Sequence, residues 1–179
     1  MAYPNWIYYP TQATPPPWVA EFIAVVQTCR ISIESSDVSG LNSNGTLAQL
    51  RPGLEELGYK VEKGGKQADR VERPVLFGDQ GSPRVTYRVD AIHEDQGVLV
   101  EIEAGRALMG NAIYRDLIRA SLIVDARYLV LGVMNEYWYS SKGTRIVDRS
   151  YEESHKLLDA LYASGRLGLP FEGILLFGY

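Results

Sequence analysis

Two hydrophobic periods alternate along this chain, and the places where one gives way to the other mark the elements. Val19, Phe22, Ile23 and Val26 recur at helical spacing behind Pro16 and Pro17, which predicts a helix with prolines in its tolerant first turn, running to about Cys29. Ser35 to Gly45, rich in Ser, Asn and Gly, reads as a loop. Leu47, Leu50, Leu54 and Leu57 then form one stripe of a second helix that Gly58 can end, with Pro52 marking a kink or a late start. From Pro74 the pattern becomes that of strands. Pro74–Phe77, Arg84–Ile92 and Gly97–Glu103 predict a three-strand meander with turn residues between them. Ile113, Leu117, Ala120 and Val124 restore the helical period over residues 107–124. Tyr128–Met134 is a short apolar run of the kind that forms a strand buried on both faces. A polar helix from about Ser150 to Ser164 and a last strand, Gly173–Phe177, complete the order.

Helix, helix, meander, helix, strand, helix, strand predicts an α/β fold with a single mixed β-sheet flanked by helices. At 179 residues, with 46% hydrophobic and 22% charged, the chain fits one domain over 1–179. Residues 1–17 hold five of the nine prolines with Trp6, Tyr8 and Tyr9, and read as an extended N-terminal arm whose rings pack on the body or on a partner chain. Lys60 to Arg73 reads as a basic loop around Gly64 and Gly65.

Charge and cysteine content narrow the functional classes. A formal net charge of -4 gives no global basic field, so contact with nucleic acid would need a local patch. The single Cys29 excludes an internal disulfide framework and a Cys-based metal site, which fits a reducing, cytoplasmic compartment. No stretch of 18 uninterrupted apolar residues and no leader pattern occur, so no membrane partner is expected. Gly-rich phosphate loops in a strand-to-helix context are absent, and His93 and His155 are isolated from each other and from any nucleophile.

The chemistry concentrates in the last two meander strands. A turn at Glu94-Asp95-Gln96-Gly97 pairs His93 with Val98, Ile92 with Leu99 and Ala91 with Val100, and so sets Asp90 opposite Glu101. Opposed residues have Cβ atoms about 4.5–5.5 Å apart, and like charges so placed destabilise a sheet unless something compensates. Glu103, two residues on, shares the face of Glu101. Three carboxylates thus interrupt strands whose other residues are apolar. A divalent cation such as Mg²⁺ or Mn²⁺ would convert their repulsion into ligation by hard oxygens. The competing reading is an edge strand with one wet face.

Asp90, then Glu101-Ile102-Glu103 in the following strand, then a helix and a buried strand, resembles the PD-(D/E)XK nuclease superfamily, which includes many restriction endonucleases. The resemblance spans roughly Leu47 to Met134 and implies a restriction endonuclease-like αβββαβ core. It implies Mg²⁺ or Mn²⁺ held by Asp90, Glu101, the Ile102 carbonyl and Glu103, with Glu103 activating or orienting water. The superfamily usually carries Lys where Glu103 stands, a minority uses a Glu-x-Glu form, and Val89 replaces the usual proline before the Asp. An upstream helix often contributes a further acid, which corresponds to Glu55 or Glu56, with Glu55 favoured. The reaction implied is hydrolysis of a phosphodiester, most simply by a DNA endonuclease acting on double-stranded DNA as a homodimer. A nuclease fold that has lost turnover and keeps a binding role is the alternative. Arg106, Arg115 and Arg119 follow the acids and are candidates for phosphate contact, Arg115 and Arg119 being one helical turn apart. Tyr137-Trp138-Tyr139 is either a base-stacking surface or a packed edge.

Overall fold

A computed structural model describes residues 3–179 except 39, 65, 106, 108 and 109. Strand β1 (Asn5–Tyr9) is followed by helices α1 (Pro17–Thr28), α2 (Arg30–Ile33) and α3 (Ser43–Glu56). Next come β2 (Lys60–Val61), β3 (Val71–Phe77), β4 (Pro83–Val89), β5 (Ala91–His93) and β6 (Val98–Glu103). The chain continues with α4 (Ala112–Ser121), β7 (Tyr128–Val133), β8 (Tyr137–Ser141), β9 (Thr144–Asp148), α5 (Ser150–Ser164) and β10 (Gly173–Gly178).

Six strands form one mixed sheet in the order β1-β10-β7-β6-β5-β2. The apolar runs make its middle: β6, β7 and β10 lie parallel, with Val130 between Val100 and Leu175. Strands buried on both faces need apolar residues at successive positions, which these three supply. The antiparallel neighbours β5 and β2 extend one edge, and β1 closes the other against β10. Alternation along the strands sends their side chains into two cores. Val100, Ile102, Val130 and Phe177 pack against Phe22, Leu50 and Leu54 of α1 and α3. Leu99, Leu129, Leu131 and Leu176 pack against Ile113, Leu117 and Leu158 of α4 and α5. The result is a mixed α/β fold, one six-stranded sheet with helices on both faces. Among the described residues no helix is long and apolar enough to cross a membrane.

The β5–β6 hairpin has the register expected from the sequence, His93 to Val98, Ile92 to Leu99 and Ala91 to Val100. Gly97 closes its turn at φ 67, and a Cβ there would lie 2.8 Å from the Asp125 carbonyl, so both the conformation and the space call for glycine. Gly132 has a different role in β7. A Cβ at that position would stand 2.5 Å from the Phe177 ring and 2.7 Å from Ile102 Cδ1, so the missing side chain lets the two neighbouring strands close over it.

Three expectations need correction. The meander's first strand is β2, whereas Pro74–Phe77 belongs to β3, which pairs only with β4 in a separate two-stranded ribbon. The predicted strand Arg84–Ile92 is bent at Asp90, which divides it into β4 and β5. Helix α4 starts at Ala112 rather than at 107, because Asn111 adopts φ 58 and a left-handed residue cannot continue a right-handed helix. The N-terminal arm packs on the body, one of the two alternatives expected, and does so as an edge strand held by Tyr9, which is 1% exposed, donates to Asp159 at 2.7 Å and stacks on Tyr162. Residues 137–148, of which the sequence marks only the aromatic run Tyr137–Tyr139, form a second ribbon of β8 and β9.

Candidate functional site

β6 changes character within its length. Val98, Leu99 and Val100 are buried and apolar, but the alternation then turns Glu101 and Glu103 toward α4 and Ile102 toward the opposite core. α4 meets them with its own inner stripe of Ile113, Asp116, Leu117 and Ala120, spaced as one helical face. Asp116 is therefore set among core residues at 1% exposure. A cleft of about 450 Å³ opens here, lined by Asp90, Glu101, Glu103 and Asp116 together with Arg88, Arg115 and Arg119. Ser43 and Asn44 complete its wall, which brings the positive end of the α3 dipole to the acids. The cleft lies at the carboxyl ends of parallel strands β6 and β7, where open α/β sheets bind their ligands.

Neighbouring elements hold the end of β6 in place. The Tyr179 hydroxyl donates to the Glu103 carbonyl at 3.0 Å, and the next turn is fixed by Gly105 N–H to Met134 Sδ at 3.1 Å and by Ser150 Oγ to the Gly105 carbonyl at 2.9 Å.

Asp90 does not continue the ladder opposite Glu101. The bend at this residue points its carboxylate along β6, where Oδ2 accepts the Ile102 N–H at 2.7 Å, while its own carbonyl accepts from Glu62 N–H at 2.8 Å. The three acids expected together do meet in one cleft. Ile102 sends its side chain into the core, so its contribution to the cleft is main chain. Arg115 pairs with Glu103 and reaches Asp116 Oδ1 at 3.1 Å through Nε. Arg119 donates to the Arg88 carbonyl at 3.1 Å and lies over the Tyr87 ring at 5.2 Å. Both candidate phosphate contacts on α4 thus line the cleft, whereas Arg106 lies outside the described residues.

Glu55 is not in the cleft. It is exposed at the far end of α3 and pairs with Lys63 at 3.0 Å, and Glu56 is exposed as well. The start of α3, not its end, faces the acids. The fourth carboxylate comes from Asp116, which was not among the residues singled out from the sequence. Its signal was present: Asp116 stands three residues after Ile113 and directly before Leu117, on the stripe that marks the buried face.

Burial and mutual repulsion set the electrostatics. Burial, then repulsion by Glu62 and Asp116, push Asp90 from its usual 3.8 up to about 6 against the opposing pull of the Ile102 N–H. Burial, with Asp90 and Asp116 adding to it, raises Glu101 well above its ordinary value, and Arg119 only partly offsets this. Glu103 is also raised, first by burial and then by hydrogen-bond contact with Asp116, with Arg115 opposing. Among the described residues no donor meets the Glu101 carboxylate, and Asp116 Oδ2 is buried without one. Two carboxylates within hydrogen-bond reach need a proton or a cation between them.

Such a donor set, all hard oxygen with one buried acceptor unsatisfied, fits Mg²⁺ or Mn²⁺ in chemical kind. Among the described residues no three His, Cys, Asp or Glu side chains stand ready-made as a metal cage, since Asp90 is turned to the Ile102 amide and Glu103 to Arg115. Comparison of the chain with protein-family models, with curated proteins and with solved structures returned no match.

Proposed function

We propose that this protein is a divalent-metal-dependent phosphodiesterase acting on nucleic acid, a DNA endonuclease with the restriction endonuclease-like core. The observation that carries the proposal is the cleft itself: four carboxylates with too few donors, rimmed by three arginines, at the end of parallel strands. Excess carboxylate suits a hard cation, and arginine suits the phosphate that such a cation would polarise. Chain order is a further support. Apart from the β3–β4 ribbon inserted between β2 and β5, α3, β2, β5, β6, α4 and β7 follow one another as helix, three antiparallel strands, helix and a strand parallel to the third.

Asp90, Glu101, the Ile102 carbonyl and Glu103 would hold the metal, with Asp116 as an added oxygen donor. When bound, the ion supplies Lewis-acid polarisation of a phosphoryl oxygen and acidifies a water beside it. Arg115 and Arg119 anchor the substrate phosphate from α4. The Glu103 carboxylate would accept the proton of the attacking water, and its contact with Asp116 would offer that proton a second oxygen.

A homodimer belongs to this reading. The outer face of α4 carries Tyr114, Ile118 and Leu122 at four-residue intervals, 44%, 55% and 48% exposed, with Val124 beyond them at 64%. A row of exposed apolar side chains on one helix suits a second copy packed about a two-fold axis, which would present two clefts to one duplex.

The Arg115–Glu103 pair favours a second reading, a nuclease fold with a binding role and no turnover, because a protein cation already occupies the residue that replaces the superfamily's Lys. Two experiments separate the cases. Titration with Mn²⁺ should show binding that Glu101→Ala abolishes, and a wild type that binds no divalent ion rules out both. Plasmid DNA with Mg²⁺ or Mn²⁺ should be cut by the wild type and not by Asp90→Ala; binding without cutting selects the inactive reading.

A further inference from the structure

Two features lie outside the cleft chemistry, the β3–β4 ribbon and the β8–β9 ribbon. Neither pairs with the main sheet, yet both leave from the same end of it. β4 passes through Asp90 into the start of β5, and β5 runs antiparallel to β6, so the first ribbon roots where β6 ends. β8 follows closely on β7, which runs parallel to β6 with Val133 beside Glu103. The second ribbon therefore roots at that end too.

Charge is divided in the same way. Residues 60–89 hold seven Lys and Arg against four Asp and Glu, and residues 137–149 hold three against one. The rest of the chain holds eight against seventeen. Within these segments the ribbons proper, residues 71–89 and 137–148, hold five Lys and Arg against three Asp and Glu, so they are net positive on a protein that is otherwise negative.

Each ribbon presents a guanidinium that meets no carboxylate among the described residues, with exposed rings or apolar side chains beside it. On β4 Thr86 and Arg88 share one exposed face that runs inward to the cleft, where Glu72 lies beside them and accepts from Thr86 at 3.4 Å, and Arg84 stands exposed nearer the tip, past a bulge in the β3–β4 register. Leu76 and Phe77 stand exposed at the tip, 50% and 48%. The root is fixed: Arg73 pairs with Asp125 and Glu94, and Val124 N–H donates to the Pro74 carbonyl at 3.3 Å. On the second ribbon Arg145 lies 4.0 Å over the Trp138 ring, on the exposed side opposite the stacked pair Tyr137 and Tyr139. Among the described residues neither Arg84 nor Arg145 meets a carboxylate.

We infer that the two ribbons are a pair of arms that hold double-stranded nucleic acid across the cleft, the β3–β4 ribbon in a groove and the β8–β9 ribbon on the backbone. A two-stranded ribbon has the width of a major groove, and apolar residues at a tip can wedge at a base step. Phosphate charge complements the positive segments that carry the ribbons. This rests on the nucleic-acid reading of the cleft, but not on turnover there.

The test uses the full chain with Ca²⁺, a fluorescein-labelled 20-base-pair duplex and its single strand, read by anisotropy from low to moderate salt. Arg84→Ala and Arg145→Ala should each weaken duplex binding about 3- to 10-fold and lower the salt slope by about one, with the double variant close to the product. Thermal melts superimposable with wild type establish that these exposed changes leave the fold intact. Duplex affinity and salt slope unchanged in both variants, single strand bound as tightly as duplex, or no binding by the wild type would each overturn the arms. Plasmid cleavage with Mg²⁺ is scored separately. Arm-dependent duplex binding without any cleavage keeps the arms and removes the nuclease, whereas cleavage and binding indifferent to both substitutions does the reverse.

Discussion

Asp90→Asn tests the cleft without relying on turnover. In the metal-free protein Asp90 titrates near 6 instead of 3.8, so at neutral pH the fold must keep a carboxylate ionised where burial and two other acids disfavour it. Each pK unit corresponds to about 1.4 kcal/mol, so a shift of about two units costs about 3 kcal/mol, and local relaxation reduces that to about 1–3 kcal/mol. Because the folded value lies above the unfolded one, wild type loses this stability as pH rises from about 4 to about 6 and does not regain it above. Asn keeps an oxygen for the Ile102 N–H and carries no charge. The variant should therefore match wild type near pH 4 and exceed it by about 1–3 kcal/mol at pH 8, roughly 3–9 °C in melting temperature for a chain of this size. The assay is thermal and urea unfolding in a chelator at one-unit pH intervals. Saturating Mg²⁺ or Mn²⁺ should then cancel or reverse the difference, since an ion at a hundred times its Kd stabilises the wild type by about 2.7 kcal/mol while the variant lacks a ligand. Two results would refute the reasoning: a variant less stable than wild type at pH 8 in chelator, or a difference that is the same at pH 4 and pH 8.

Two further outcomes follow from particular contacts. Ile118→Glu puts a charge in the middle of the exposed row on α4 and should convert a dimer to a monomer in light scattering while leaving the melting temperature of the monomer unchanged; a wild type that is monomeric at high concentration removes the dimer from the reading. Gly132→Ala forces a methyl group against Phe177 and Ile102, and overpacking of this kind costs about 1–3 kcal/mol, measurable as a lower urea midpoint with an unchanged slope.

The hairpin register was legible because two signals agreed on it, the alternation of apolar residues and a turn that ends in glycine. Helices α1, α3 and α5 and the buried strands were legible because each presents several residues of one period. What escaped had too little pattern or the wrong surroundings. β2 has two residues, so nothing in Lys60-Val61 competes with Pro74–Phe77 for the meander's edge. β1 sits between prolines in a stretch that looks like a linker, and only its pairing with β10 makes it a strand. Glu55 was set near the acids on the basis of resemblance, but an amphipathic stripe fixes which face of a helix is buried and leaves open which of its ends approaches the site. Asp116 was missed because the apolar stripe it interrupts was counted without it.

α4 links these observations, because its two faces have opposite chemistry. Its inner stripe places one acid, Asp116, among Ile113, Leu117 and Ala120, and the flank beside that stripe carries Arg115 and Arg119 into the cleft. Its outer stripe is apolar and open. A globular protein gains nothing in isolation from either arrangement: the inner acid raises the cost of folding, and the outer row leaves large side chains in water. On the proposed function both would become favourable on binding, a cation and a phosphate on one side and a second chain on the other. A helix built against its own stability on two faces is expected where function sets the residues, and here the same ten-residue helix would fix the distance between two clefts by packing on its counterpart.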